Sequence, residues 1–230
     1  MKQFFNIATY NLWKNCGKFP KRIHDIGRKL ENLDCICLQE DYEDTNFSSS
    51  ANINESLGFY KITLPLRAKK RNGKKSSSNL TILSKYKLSH LEDIYFNKGE
   101  EDERGAQFIQ IEINNKKLLI INTHLTNLSH QGRMNQIEII RYKLENYNSD
   151  MTIICGDMNS NANSKEIKKI KRCGYSSVNE LATYEEDLVL DYIFYKSNFN
   201  LEVESKISIK NLSDHYCLEN SFSWINERNK

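Results

Sequence analysis

The sequence predicts an α/β fold with more than one β-sheet in one large domain. Short apolar runs rich in Val, Ile, Tyr, Phe and Thr alternate with stretches of helical periodicity along the whole chain. The chain has 230 residues, of which 39% are hydrophobic and 27% are charged, so it can form a substantial core and is not expected to be disordered. Eleven candidate strands with three or four helices in this length favour a single layered domain over residues 1–230.

Eleven segments carry the strand pattern. β-branched and aromatic residues dominate them, as half-buried, pleated positions favour. Residues 118–121 are apolar without alternation, which is typical of a central strand covered on both faces. The predicted strands comprise residues 4–10, 35–39, 59–64, 80–84, 90–96, 107–113, 118–125, 151–155, 190–195, 201–209 and 216–223.

Three segments carry helical periodicity. The first begins at Pro20, a residue favoured in the first turn of a helix, and the third begins at Ser164, a good N-cap. The second extends over about residues 133–147. The inward apolar residues are Ile23, Ile26, Leu30 and Leu33 in the first helix, Met134, Ile137, Ile140 and Leu144 in the second, and Ile167 and Ile170 in the third.

The charge is nearly balanced, with one local exception. The 33 basic and 30 acidic side chains give a formal charge of +3, which excludes a polycationic nucleic-acid coat protein and an acidic tail. Between Ser56 and Leu91 there is no Asp or Glu but there are nine Lys or Arg, six of them in residues 67–75. This segment is predicted to be a hairpin loop, either simply solvated or in contact with phosphate. An acidic run follows at residues 100–103.

The cysteines and the N-terminus indicate a reducing compartment. The six cysteines form no CxxC pair, and several lie within apolar strand-like runs. Residues 1–8 are too polar for a signal peptide, and no apolar run approaches 18 residues. We therefore expect reduced thiols, a cytoplasmic location and no transmembrane segment.

Polar side chains interrupt or follow the predicted strands at six places. Each has an ordinary structural explanation by itself, since Asn and Asp form turns and a histidine can be a hydrogen-bonded core residue. Together they favour a site, because ligands of α/β folds collect beyond the carboxyl ends of strands. The six places hold Asn11; Glu40; His124; Asp157 with Asn159; Asp191; and Asp214 with His215.

Four of these residues are carboxylates, which would repel one another in a shared pocket. At about 4 Å, two like charges cost roughly 4 kcal/mol at an effective dielectric of 20. A divalent cation, a protonated histidine, or both would remove this cost. Oxygen ligands without cysteines or paired histidines at ligand spacing favour Mg²⁺ or Mn²⁺ over Zn²⁺.

Six short motifs surround the candidate residues. They are Thr9-Tyr10-Asn11, Leu38-Gln39-Glu40, Asn122-Thr123-His124-Leu125, Gly156-Asp157-Met158-Asn159, Leu190-Asp191-Tyr192 and Ser213-Asp214-His215. This ordered set resembles the endonuclease/exonuclease/phosphatase superfamily, which has the DNase I-like fold. The resemblance implies a four-layered α/β/β/α sandwich, in which two mainly antiparallel sheets pack together with helices outside.

The resemblance also assigns roles to the matching positions. Glu40 is similar to the principal metal ligand, with Asn11 and Asp214 close to the ion. Asp157 and Asn159 resemble the pair that activates and orients the attacking water.

Further positions match residues that act on the phosphate. His215 resembles the histidine that contacts the scissile phosphate, and Asp191 resembles the carboxylate that orients and charges it. His124 matches a histidine that donates a proton to the leaving oxygen in some branches. The residues expected to contact substrate phosphates are Arg104, Asn79, Lys69, Lys70 and Arg71.

The resulting hypothesis is a monomeric phosphoesterase, dependent on Mg²⁺ or Mn²⁺, that hydrolyses phosphodiester bonds by water attack. The preferred hypothesis is a nuclease that acts on DNA or RNA. The first alternative is a phosphodiesterase or phosphatase for a small molecule or lipid headgroup. A non-catalytic binding module is disfavoured, because such relatives normally lose metal ligands or the histidine, and this sequence retains both.

Overall fold

The alternating strands and helices form two mixed β-sheets. The computed structural model describes residues 2–71, 73–96 and 104–225, apart from the side chains of residues 71 and 74. The strands are β1 (Lys2–Asn11), β2 (Cys35–Asp44), β3 (Tyr60–Arg71), β4 (Lys74–Ser84), β5 (Ser89–Tyr95), β6 (Gly105–Ile113), β7 (Lys116–His124), β8 (Met151–Asp157), β9 (Asp191–Ser197), β10 (Glu202–Ile209) and β11 (Cys217–Ile225). The helices are α1 (Lys21–Gly27), α2 (Ser49–Leu57), α3 (His130–Leu144) and α4 (Lys165–Arg172), and Glu185–Asp187 form a 3₁₀ turn.

The strand order places the carboxyl ends of two parallel strands at the same edge of each sheet. The six-stranded sheet has the order β10-β11-β1-β2-β4-β3, and the five-stranded sheet has the order β5-β6-β7-β8-β9. β1 pairs parallel with β2, and Asn11 lies opposite Gln39. β7 pairs parallel with β8, and His124 lies opposite Asp157. Since parallel strands end at the same edge, each sheet brings two motif-bearing ends together.

Three apolar layers hold the sheets and helices together. Phe5 and Phe222 of the six-stranded sheet meet Ile120 and Ile153 of the five-stranded sheet in the central layer. α1 and α2 cover the outer face of the first sheet, and α3 and α4 cover that of the second. The predicted α/β/β/α sandwich is therefore confirmed. The buried residues of the four helices are, among others, Ile23 and Ile26 in α1, Ile53 in α2, Ile137 and Ile140 in α3, and Ile167 and Ile170 in α4.

All eleven predicted strands are present, but several local expectations were wrong. Leu30 and Leu33, expected on the inward face of the first helix, are buried but lie beyond its end at Gly27. The predicted hairpin loop at 67–75 is mostly paired strand, since Arg71 of β3 lies opposite Lys74 of β4. β2 continues past the predicted end at residue 39 to Asp44. Helix α2 was missed because its sequence is mainly polar. The acidic run 100–103 lies outside the described residues.

Helix caps explain where three helices begin. The side chains of Ser48, Ser129 and Ser164 accept hydrogen bonds from the first-turn amides of α2, α3 and α4. Ser129 accordingly starts α3 a turn earlier than the apolar periodicity indicated. None of the helices in the described ranges is long and apolar enough to cross a membrane.

Candidate active site

The predicted site residues come from the same edge of both sheets. Asn11 ends β1, His124 ends β7, Asp157 ends β8 and Asp191 begins β9. His215 lies just before β11. The structure brings the side chains of these five residues into one buried group joined by hydrogen bonds and ion-pair contacts, in which each is at most 5% exposed.

Asp157 lies at the centre of this group. Its Oδ2 accepts a hydrogen bond from Asn11 Nδ2 at 3.1 Å, and it lies 3.3 Å from His124 Nε2 and 3.6 Å from His215 Nε2. Its Oδ1 accepts from the backbone amide of Asn159 at 2.8 Å. Burial acts to raise the pKa of Asp157, but His124 and then His215 hold it below its ordinary value. The carboxylate is thus ionised although it is buried.

His215 and Asp191 form a buried ion pair. His215 Nδ1 lies 2.8 Å from Asp191 Oδ2. Burial acts to lower the pKa of His215, but the charge of Asp191 outweighs it, so the pKa of His215 is raised. His215 Nε2 lies 3.6 Å from Asp157 Oδ2, which is an ion-pair distance longer than a hydrogen bond. Burial raises the pKa of Asp191, whose Oδ1 has no hydrogen-bond partner among the described residues.

His124 is held in the neutral form with a defined tautomer. Its pKa is lowered, first by burial and then by the charge of Arg104, whose Nη1 lies 3.4 Å from His124 Nδ1. A guanidinium can only donate, so His124 Nδ1 accepts and His124 Nε2–H donates to Asp157. Arg104 therefore contacts His124, and its predicted contact with a substrate phosphate stays a prediction.

Glu40 lies at an irregularity in β2. The register between β2 and β4 shifts between Leu38 and Asp41, and Glu40 has a φ of 51°. A non-glycine residue with positive φ is strained, and such strain is concentrated at functional sites. The Glu40 side chain is 16% exposed, and its Oε2 lies 3.8 Å from Lys14 Nζ. Within the described ranges, no hydrogen bond to this carboxylate is formed.

Asp214 is tied to the same edge through Ser213. Asp214 Oδ1 accepts from the amide of His215 at 3.0 Å and lies 3.1 Å from Ser213 Oγ. Ser213 Oγ also lies 2.8 Å from the carbonyl oxygen of Asn11. This connection places the segment before β11 against the end of β1.

The donor set fits a hard divalent cation. Glu40, Asp214 and Asn11 offer carboxylate and amide oxygens, and the Glu40 carboxylate lacks a hydrogen-bond donor within the described chain. The group whose ligand atoms lie within 4.8 Å of one another is different and consists of Asp157, Asp191 and His215. Asp191 and His215 already bond to each other in that group.

The remaining predicted residues are placed less centrally. Asn159, with a φ of 46°, donates from Nδ2 to the carbonyl oxygen of Leu125 at 2.9 Å. Asn79 is 1% exposed, and its Nδ2 lies 3.4 Å from Glu43 Oε2, so its amide bonds within its own sheet.

The predicted basic residues lie on the β3–β4 hairpin. Lys69 lines a cleft beside β4, whereas Lys70 is exposed opposite Lys75. The side chain of Arg71 lies outside the described residues.

Two residues near the site were missed. Thr183 Oγ1 accepts from the amides of Leu190 and Asp191, each at 2.9 Å, and the ring of Tyr184 packs edge-on against His215 with centroids 4.7 Å apart. The sequence offered no signal for them, because they lie in a segment without strand or helix periodicity.

Gly156 is required by the close approach of β7 and β8. It has a φ of 140°, and a Cβ there would lie 1.8 Å from the carbonyl oxygen of Thr123. The glycine before Asp157 therefore has a structural reason.

Comparisons with known proteins show the family and the fold of this chain. Residues 8–215 match the model of the Endonuclease/Exonuclease/phosphatase family. A search of curated protein sequences gives no significant match.

Solved structures share the fold at low sequence identity. An endonuclease/exonuclease/phosphatase family protein from Leptotrichia buccalis has a TM-score of 0.78 at 18% identity, covering 95% of this chain and 99% of its own. The endonuclease/exonuclease/phosphatase from Beutenbergia cavernae has a TM-score of 0.79 at 14% identity, covering 95% and 71%. ANGEL2, described as a 2′,3′-cyclic phosphatase, has a TM-score of 0.72 at 18% identity, covering 96% and 95%. Because the family model covers most of its length, this chain belongs to the endonuclease/exonuclease/phosphatase family.

Proposed function

We propose that this protein is a divalent-metal-dependent phosphodiesterase, and that its substrate is a nucleic acid. Members of the family are in general hydrolases of phosphate esters and typically depend on divalent metals. The observation that carries the proposal is the buried Asp157 carboxylate, held by Asn11 and flanked by His124 and His215. A buried, ionised carboxylate between two histidines is costly to maintain and is typical of a catalytic centre.

Glu40, with Asn11 and Asp214, would hold Mg²⁺ or Mn²⁺ in this proposal. The bound ion would neutralise charge on the non-bridging phosphate oxygens. The strained backbone of Glu40 supports this role, because it lets a strand residue turn its carboxylate out of the core.

Asp157 would orient the attacking water and accept its proton. Asp191 keeps His215 protonated, so that His215 Nε2 can donate a hydrogen bond to a phosphate oxygen that develops charge. His124 donates to Asp157, which supports a role in holding that carboxylate besides the leaving-group role implied by the family resemblance.

A nuclease is favoured by Lys14, which lies beside Glu40, and by the other basic side chains of a cleft that Lys14 also lines, because such a surface suits a polyanion. The similarity to the 2′,3′-cyclic phosphatase favours a second candidate, a phosphodiesterase for a small substrate.

We further propose a monomer, because the proposed site draws all its residues from one chain. The six free thiols support a cytoplasmic, reducing location.

The proposal is tested by assaying the purified protein with Mn²⁺ against single-stranded DNA, duplex DNA, RNA and bis-p-nitrophenyl phosphate. We expect hydrolysis of at least one substrate, abolished by chelation and by Asp157→Asn or His215→Ala. The matched control is Glu204→Gln, which changes an exposed carboxylate on β10. Turnover retained in either site variant, with folding checked by circular dichroism, would contradict the assigned roles.

A further inference from the structure

A cleft opens beside the proposed metal site. It is bordered by the segment after β1, the end of β2 and the β3–β4 hairpin, and it has a volume of about 390 Å³. We call it the basic cleft and define it by Lys14, Arg67, Lys69 and Lys75 with the serines Ser76–Ser78, all of which line it.

The floor of the basic cleft follows from the strand register. Ser78 of the central strand β4 lies opposite Arg67 of β3 and Tyr42 of β2. Two residues further along, Ser76 lies opposite Lys69 and Asp44 in the same way. Because side chains two residues apart share a face, these six residues form two rows on one face. In each row the small serine of β4 lies between two larger side chains, which leaves room for a ligand.

The charge of the basic cleft is strongly positive. Four Lys or Arg residues line it, against one carboxylate, that of Asp44. Asp44 Oδ1 accepts from the amides of Asn46 and Phe47, and its Oδ2 accepts from Tyr42 Oη. The carboxylate of Asp44 thus also holds the local turn.

Lys14 connects the basic cleft to the proposed metal site. Its Nζ lies 3.8 Å from Glu40 Oε2, and its backbone amide donates to the carbonyl oxygen of Glu40 at 3.2 Å. Only Leu12 and Trp13 separate Lys14 from Asn11 in the chain, and the amide of Trp13 donates to Asn11 Oδ1 at 3.0 Å. If one phosphate of a substrate bound at Glu40, the adjacent unit of that substrate would therefore enter the basic cleft.

We propose that the basic cleft binds the unit of a single-stranded nucleic acid next to the scissile phosphate, an inference that rests on the proposed function. Cations would contact the flanking phosphates, and the serine hydroxyls would donate to their oxygens. A small diester or a headgroup ends at the scissile phosphate and leaves the cleft empty. The volume is that of a small-molecule pocket, which suits one nucleotide and not a duplex.

The described part of the hairpin also argues against a membrane surface. Its end carries the exposed Lys70 and Lys75 next to Gly73, where a membrane-inserting hairpin would present large apolar side chains. The concave shape of the basic cleft likewise suits a single strand of nucleic acid that enters from one side.

The test measures binding of a fluorescent oligothymidylate of about 12 nucleotides, a length within the usual single-strand site size. Binding is monitored by fluorescence anisotropy in the presence of EDTA at several NaCl concentrations. The variant replaces Arg67, Lys69 and Lys75 by Gln. A single bound nucleotide has two flanking phosphates, and each lost phosphate contact lowers the slope of log Kd against log salt by about 0.7, so we expect a decrease of about 1.4, or about 25-fold weaker binding at 0.1 M NaCl. A charge-preserving variant, Lys69→Arg with Lys75→Arg, should bind like the wild type.

The matched control changes Lys165, Lys168 and Lys171 to Gln, which removes the same charge from exposed positions on α4. An equal loss in this control would overturn the proposal, since only net charge would then matter. Binding of duplex DNA or phosphatidylserine vesicles in preference to the single strand would also overturn it. Hydrolysis of bis-p-nitrophenyl phosphate by the same preparation separates the outcomes: hydrolysis without oligonucleotide binding rejects the cleft alone, whereas no hydrolysis of any substrate rejects the proposed function.

Discussion

Replacing Asp191 by Asn should make hydrolysis fall steeply between pH 6 and pH 8. His215 Nδ1 lies 2.8 Å from Asp191 Oδ2, and the charge of Asp191 raises the pKa of His215 against the effect of burial. The wild type therefore keeps His215 protonated throughout this range. Asn keeps the size of the side chain but removes the charge, so the pKa of His215 falls.

The magnitude follows from the ordinary pKa of histidine. With a pKa of about 6.5, roughly 76% of His215 is protonated at pH 6 but only about 3% at pH 8. If activity requires the protonated form, the variant loses about 25-fold between these values. Burial lowers the pKa of His215 further, whereas Asp157, 3.6 Å from His215 Nε2, and Asp214 raise it, so the loss of about 25-fold applies when these effects cancel.

The assay is kcat/KM for bis-p-nitrophenyl phosphate with Mn²⁺ at a series of pH values. Asp93→Asn is the control, because Asp93 Oδ2 lies 3.1 Å from His90 Nε2 in a partly exposed Asp–His pair outside the site. This control should keep the wild-type profile. An Asp191→Asn profile as flat as that of the wild type would refute the reasoning, since His215 would then not need Asp191 to stay protonated.

Two further predictions concern residues around the site and α4. Thr183→Val should lower kcat about tenfold with little change in KM, because it leaves the buried amide of Asp191 without its acceptor, and Thr183→Ser should restore kcat. Glu166→Gln should reduce stability in urea at pH 7 by about 2 kcal/mol. Burial opposes ionisation of Glu166, but His130 and Arg133 lower its pKa to about 2, so its contribution is present above its ordinary pKa and is lost as the pH falls toward 2. A Glu166→Gln deficit in the urea midpoint that stays the same at pH 2 and pH 7 would contradict this assignment.

The strands and the central site residues could be predicted from the sequence because both depend on local pattern. An apolar run that ends in Asp157 or His124 shows its strand and its polar end together. Helix α2 could not be predicted in this way, since its stability comes from the cap at Ser48 and from a few contacts such as that of Ile53. The extent of the β3–β4 hairpin depends on pairing between strands, which single-sequence patterns do not show.

The parts of the site that were missed depend on contacts distant in sequence. Thr183 reaches Asp191 from a segment without regular structure, and its backbone carbonyl accepts from the amide of Tyr216 at 2.7 Å. Lys14 reaches Glu40 only because a parallel pair of strands ends there. Both contacts follow from tertiary placement, so no periodicity in the sequence could indicate them.

The motif residues beside the candidate site explain why the two sheets meet there with defined geometry. Gln39 Nε2 donates to Asn122 Oδ1 at 2.7 Å across the sheets and lies 3.0 Å from Thr9 Oγ1, and Asn122 Nδ2 donates to the carbonyl oxygen of Leu38 at 3.0 Å. All three polar side chains are fully buried, so these bonds form away from water, where losing a partner is costly. Gln39 directly precedes Glu40, and Thr9 and Asn122 lie two residues before site residues of their own strands. These three motifs therefore combine two physical tasks: Gln39 and Asn122 connect the two sheets, with Thr9 supporting Gln39, and a residue one or two positions further along each strand reaches the candidate site.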